Sequence, residues 1–115
     1  MTDRTTEFFE ELDARGHEPL LEKATGILRI DLSDGKRRLR WLVTIKKGDV
    51  TVSHANAKAD CVVRMDQALF ERIVTGKANA TASVLRGLVA IEGDSQLLVL
   101  FQRLFPGPPN GRKRS

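Results

Sequence analysis

The most constraining feature of this chain is a change in its hydrophobic period at Gly26. Upstream, Phe8, Phe9 and Leu12 recur at helical spacing; downstream, Leu28, Ile30 and Leu32 alternate with Arg29 and Asp31. A period of two marks a half-buried strand. Asp34-Gly35 follows as a hairpin signal, because tight primed turns need positive φ, which glycine adopts without a Cβ clash. Leu39, Trp41, Val43 and Ile45 then alternate against Arg38, Arg40, Leu42 and Thr44 as a second strand, closed by Lys46-Lys47-Gly48-Asp49. Val50 and Val52 open a third strand, and after a polar stretch over 54–58 the run Asp60-Cys61-Val62-Val63-Arg64-Met65 supplies a fourth. Three tight connections in succession predict a mostly antiparallel meander.

Helices flank these strands. Glu7 to Arg15 reads as a short helix with Thr5 or Thr6 as N-cap and Gly16 beyond its last turn, and Pro19 begins a brief helical connector. Asp66 is placed to cap a helix with Leu69, Phe70, Ile73 and Val74 on one face, ended by Gly76. Lys77 to Arg86, rich in small residues, predicts another; Leu88 to Glu92 forms a last short strand, and Ser95 to Phe105 a terminal helix. The remaining residues, 106–115, offer nothing apolar to bury and are expected to be a disordered tail, leaving 1–105 as one domain.

Composition narrows the function classes. Apolar residues make up 41% and charged residues 30% of 115, the balance of a water-soluble globular domain. The longest apolar run, Leu97 to Phe101, is far short of the roughly 20 residues of a membrane helix. The polar N-terminus leads into no secretory h-region, so a cytoplasmic protein is expected. The net charge of +4 includes Arg112, Lys113 and Arg114 in the tail, which leaves the body near neutrality and gives no basis for nucleic-acid binding. A single cysteine, Cys61, and two histidines, His17 and His54, write no zinc-ligand spacing, and no cofactor is implied.

Catalytic patterns are equally thin. There is no Gly-x-Ser-x-Gly elbow and no phosphate-cradling glycine loop. Both histidines read as surface residues and Cys61 as a buried small hydrophobe in a strand; Asp60, Asp66, Glu92 and Asp94 fall at strand ends and helix starts, where turns and caps account for them. No catalytic residue is assigned. The terminal helix does stand out, with Leu97, Leu98, Val99, Leu100, Phe101, Leu104 and Phe105 apolar among eleven residues. One buried face needs fewer, so this helix either wedges deep into a core or helps close an apolar cavity with the Leu69-Phe70-Ile73 face and the sheet.

The ordered motifs resemble the sterol carrier protein 2 (SCP2) type lipid-binding domain, in its freestanding bacterial form. The resemblance runs through Gly26-Ile27-Leu28-Arg29-Ile30-Asp31-Leu32 with Asp34-Gly35, Trp41-Leu42-Val43-Thr44-Ile45, Gly48-Asp49-Val50-Thr51-Val52 and Ala59-Asp60-Cys61-Val62-Val63-Arg64-Met65. It continues through Gly76-Lys77-Ala78-Asn79-Ala80, Gly87-Leu88-Val89-Ala90-Ile91-Glu92-Gly93-Asp94 and the closing helix, covering about Phe8 to Phe105. Each motif alone is weak; their order and spacing carry the resemblance.

It implies an α/β (α+β) fold in which helices cover a five-stranded, mainly antiparallel sheet around an apolar tunnel. It also implies a non-enzymatic role: binding and transferring or presenting a fatty acyl chain, acyl-CoA, phospholipid or sterol-like ligand. The matching tunnel positions are Trp41 and Val43 on the sheet, Leu69, Phe70 and Ile73 on the middle helix, Val84, Leu85 and Leu88 around the last strand, and Leu98, Phe101 and Phe105 on the final helix. Gln96 and Gln102 are candidates for a headgroup at the mouth. The ending Lys113-Arg114-Ser115 departs from the Ser-Lys-Leu type, so peroxisomal import is not expected. The resemblance further implies that the thiolase or dehydrogenase to which such domains are often fused is expected here as a separate cooperating chain. The basic tail is expected to touch anionic membrane surfaces transiently. A second reading is a non-catalytic scaffold for enzymes acting on lipophilic intermediates such as quinone precursors; a third is a hydrolase using Cys61.

Overall fold

Strands β1 (Thr25–Asp34) and β2 (Arg37–Lys46) form the hairpin that the alternation predicts. The structure, a computed structural model, describes residues 3–105; the tail expected to be disordered lies outside the described residues. Asp34 pairs with Arg37, so the turn is Gly35-Lys36 and not Asp34-Gly35. Of the two, only Gly35 has positive φ, 62°, the pattern of a II′ hairpin in which glycine takes the first central position. Strand β3 (Asp49–Ser53) adds antiparallel to β2 across Lys47-Gly48.

The meander ends there. Residues 54–60 carry the chain across the sheet, and β4 (Cys61–Asp66) pairs parallel with β1, Leu28 opposite Cys61 and Leu32 opposite Met65. A short strand, β5 (Ala90–Gly93), closes the far edge antiparallel to β4, which gives the order β3-β2-β1-β4-β5. The sheet is therefore five-stranded and mainly antiparallel, as expected, with one parallel pair where a third hairpin was predicted. The connection is too long for a tight turn, and the β-branched Val62-Val63 pair suits a strand with neighbours on both sides.

The helices lie on the sheet face formed by Leu28, Ile30, Leu32, Val43, Ile45 and Val63, all essentially inaccessible. Helix α1 (Arg4–Arg15) begins earlier than predicted: Asp3 is the N-cap, accepting from the Thr6 amide at 2.8 Å, while Thr5 is buried. A 3-10 turn at Pro19–Leu21 is the expected connector. Helix α2 (Gln67–Val74) starts after Asp66, whose side chain nevertheless makes no capping bond. Helix α3 (Ala80–Leu85) is shorter than the predicted 77–86, since Asn79 caps it by accepting from the Ala82 amide at 2.8 Å. Helix α4 (Ser95–Phe101) tightens into a 3-10 turn at Gln102–Leu104.

The opposite sheet face carries charge. Asp31 stands 3.0 Å from Arg29, 3.7 Å from Arg64 and 3.9 Å from Arg40, and Arg64 reaches Glu92 at 2.7 Å. Both histidines are exposed, as expected, yet neither is free. His17 Nδ1 lies 2.8 Å from Asp49 and its Nε2 3.3 Å from Glu22, while His54 Nδ1 lies 2.7 Å from the Arg40 carbonyl, with its ring over Trp41.

Candidate functional site

The alternation of β1 and β4 aims Ile30, Val63 and Met65 at the helices and makes them the floor of an apolar recess. Helix α2 contributes Phe70 and Ile73, three residues apart on its inward face. Ala80 and Val84 of α3, with Val89, form one wall; Leu98, Phe101 and Phe105 form the other. Gln102 is the single polar residue of this lining. Its Oε1 accepts the Thr81 hydroxyl at 3.0 Å, so a side-chain bond ties α3 to the end of α4 across the rim.

Aromatic rings fill the space behind it. Phe8 meets Phe70, Phe101 and Phe105 at centroid distances of 5.8, 6.1 and 5.6 Å, and Phe105 meets Phe70 at 6.0 Å and Phe101 at 5.6 Å. Phe9 stacks between Phe70 at 5.4 Å and Trp41 at 4.4 Å. All five phenylalanines and the one tryptophan of the chain thus join a single cluster. The recess itself is nearly shut. Its free volume is about 20 Å³, room for one or two waters and far below the ~300–1,000 Å³ of a typical small-molecule pocket. The structure does not show the expected open tunnel: the apolar lining is assembled, but its side chains close the bore.

Six predicted residues meet here: Phe70, Ile73, Val84, Leu98, Phe101 and Phe105. The other five do not line the recess. Trp41 borders a groove of about 530 Å³ between α1 and the β2–β3 hairpin, where Phe9, Leu39 and Val52 are interspersed with Asp3, Glu10, Asp13, Arg37 and His54, a mixed and open surface separate from the apolar recess. Val43 is wholly buried on β2 and Leu69 packs partly buried against the core, both away from the recess. Leu85 is 82% and Leu88 48% exposed. The crossover explains the sheet positions: with β4 beside β1, the recess sits over that pair, and β2 lies under α1 instead. Ile30, Val63 and Met65 share the core-facing parity of their strands, so correct strand neighbours would have identified them. Gln102 lies at the rim as proposed for a mouth residue; Gln96 is exposed at the start of α4 and outside the lining.

Cys61 is fully buried, and burial, with the nearby Asp94 charge, pushes its thiol pKa up. A protonated, packed thiol is a poor nucleophile, which removes the support for the hydrolase reading. No helix among the described residues is long and apolar enough to cross a membrane.

The model of the SCP-2 sterol transfer family matches residues 7–106. Human sterol carrier protein 2 is 29% identical over 109 residues, which cover 92% of this chain and 20% of that protein. The chain thus spans between about a sixth and a quarter of the length of the curated relatives it matches. Among solved structures, sterol carrier protein domain 2 of Helicoverpa armigera superposes with a TM-score of 0.73 at 21% identity, covering 98% of this chain and 93% of that one. The palmitated SCP2L2 of Aedes aegypti superposes with a TM-score of 0.68 at 18% identity, covering 84% and 89%.

Proposed function

The chain belongs to the SCP-2 sterol transfer family, and from that premise we propose that it is a lipid carrier that takes one acyl-type chain into the recess between α2, α3, α4 and the β1–β4 floor. The observation that carries this reading is the lining: eleven apolar residues and one glutamine, contributed by three helices, two strands and the segments that follow α3 and α4, with no charge among them. Such a wall offers orientation to nothing except hydrocarbon, with Gln102 available to one polar headgroup at the rim. Moving an acyl chain out of water gains about 0.8 kcal/mol per methylene, so roughly 16 carbons supply about 13 kcal/mol gross before ordering costs. That is ample to drive apart a recess closed only by side-chain packing and one rim hydrogen bond. Phospholipids, fatty acids and acyl-CoA all carry the required chain, and the uncharged lining favours chain length over headgroup.

Native mass spectrometry of the full chain, purified without detergent, tests the reading together with titration by a fluorescent fatty acid. Saturable uptake is expected, and Ala80→Trp, which puts an indole where α3 meets the lining, should abolish it while a cooperative thermal transition remains. A clean protein mass together with no uptake at saturating fatty acid overturns the proposal; protein partners captured in its place would favour the scaffold.

A further inference from the structure

Leu85 and Leu88 are the one pair of strongly exposed large apolar side chains within three residues of each other among the described residues. Their presentation is built in. After α3 the chain closes a Schellman motif: the Leu88 amide donates to the Ser83 carbonyl and the Gly87 amide to that of Val84, each at 3.0 Å. The motif needs a left-handed residue between them, and Gly87 supplies it with φ of 78°. Both leucines are therefore held outward at a rigid helix end, with exposed Arg86 between them.

Charge separates this end of the molecule from the rest. Residues 3–71 carry 12 Lys and Arg against 13 Asp and Glu, whereas residues 72–105 carry 4 against 2. No carboxylate occurs from Arg72 to Ile91 or from Ser95 to Phe105, the stretches that supply α3 and the end of α4, while Lys77, Arg86 and Arg103 are all exposed there. Helix α1 has the opposite character: Glu7, Glu10, Glu11 and Asp13 outnumber Arg4 and Arg15, and its Phe9 and Leu12 are fully buried. On the open sheet face, Arg29 and Arg64 are paired with Asp31 and Glu92, and no large apolar side chain is exposed.

We propose that the end of α3, with Leu85, Leu88, Arg86 and Arg103, is a docking surface for an anionic lipid bilayer. Exposed leucines enter the interface and the arginines meet lipid phosphates, the combination that interfacial binding requires. The surface is also the outer side of the recess wall. Val84 precedes Leu85, and Thr81, one helical turn before Leu85 on the same helix face, makes the bond to Gln102. Seating α3 in a bilayer pulls on that bond where the lipid is, so docking and opening are one movement. This link to loading rests on the carrier reading; the docking surface does not.

Co-sedimentation of the full chain with vesicles of equal phosphatidylglycerol and phosphatidylcholine tests the surface, using Leu85→Ser combined with Arg86→Glu. Neither side chain lines the recess or is buried, so the variant should keep the parent melting temperature. Expected are vesicle binding weakened about tenfold or more in the variant, and weakened likewise for the parent on phosphatidylcholine alone or at high salt. Equal binding by both proteins overturns the proposal. So does a dimer of the parent that the variant loses while vesicle binding is unchanged, since the patch would then face a second copy. A parent protein that binds vesicles through these residues yet takes up no free fatty acid refutes the carrier reading and leaves the docking surface in place.

Discussion

Replacing Phe101 with alanine separates packing from binding in one residue. Phe101 is fully buried, forms part of the recess wall and meets Phe8 and Phe105 edge-on at 6.1 and 5.6 Å. Buried Phe→Ala changes cost about 3–5 kcal/mol, and two edge-to-face pairs put this site in the upper part of that range. A chain of 115 residues has a stability of about 6–17 kcal/mol, so the variant should fold with a visibly lowered urea midpoint. The phenyl ring vacates space at the recess, so an acyl chain no longer has to open it before entering. Apparent affinity is scaled down by the fraction of molecules in the open, binding-competent state, and the variant raises that fraction. Ligand at a hundred times its dissociation constant adds about 2.7 kcal/mol of stability. Urea melts with and without dodecanoate at a fixed concentration should therefore show a larger ligand-induced shift in Phe101→Ala than in the parent. A smaller shift in the variant, or a destabilisation below about 1 kcal/mol, would refute the assignment of the recess as the chain site.

Two further predictions concern pH. His17 places a carboxylate at each ring nitrogen, and hydrogen bonding to Asp49 first, then to Glu22, raises its pKa. A raised folded-state pKa stabilises below the ordinary value of about 6.5 and loses that contribution as pH rises through the raised value. The melting-temperature gap between the parent and His17→Ala should accordingly be widest near pH 6 and narrow toward about pH 9; a gap that widens with pH contradicts the linkage. Asp3 behaves in the opposite sense, because the Thr6 amide bond in first place lowers its pKa. Its contribution exists above the ordinary carboxylate value and fades as pH falls through the lowered one, so Asp3→Ala should cost about 1 kcal/mol near neutrality. Urea melts should show that cost shrinking toward about pH 2, and a constant difference would mean the cap acts without its charge.

Strand existence was legible because alternation over Leu28 to Leu32 and Leu39 to Ile45 is local information, written in neighbouring residues. The partner of β4 was not. Whether Cys61 to Met65 lies beside β3 or β1 depends on which edge of the sheet the 54–60 segment reaches, and nothing within that polar stretch encodes the choice. The same gap explains Trp41 and Val43: their inward parity was readable, but not the helix above them. On α2, spacing alone put Leu69 and Phe70 together, whereas the inward row is Gln67, Phe70 and Ile73, with a polar residue at its head. Leu85 and Leu88 went astray for another reason. Apolar identity implies burial only on average, and a Schellman turn can hold two leucines outward when something outside the chain is meant to meet them.

The closed recess and the aromatic cluster bear on each other. A cavity of acyl-chain size left empty in water would forfeit dispersion contacts along all its walls, at about 24 cal/mol per Å³, so a permanently open site of a few hundred Å³ would consume most of a small domain's stability. Collapse around Phe8, Phe70, Phe101 and Phe105 avoids that cost when no ligand is present. Each ring touches two or more of the others edge-on, so rotation or a small translation of one leaves the remainder in contact. The ligand then replaces ring–ring contacts with ring–chain contacts of similar quality, and the net driving force is the hydrocarbon's own removal from water. The element that has to give way is α3, six residues long, with Ser83 its one buried residue and Thr81–Gln102 its side-chain tie across the rim. A short helix held by little is what lets a domain this small stay packed when empty and still admit a chain.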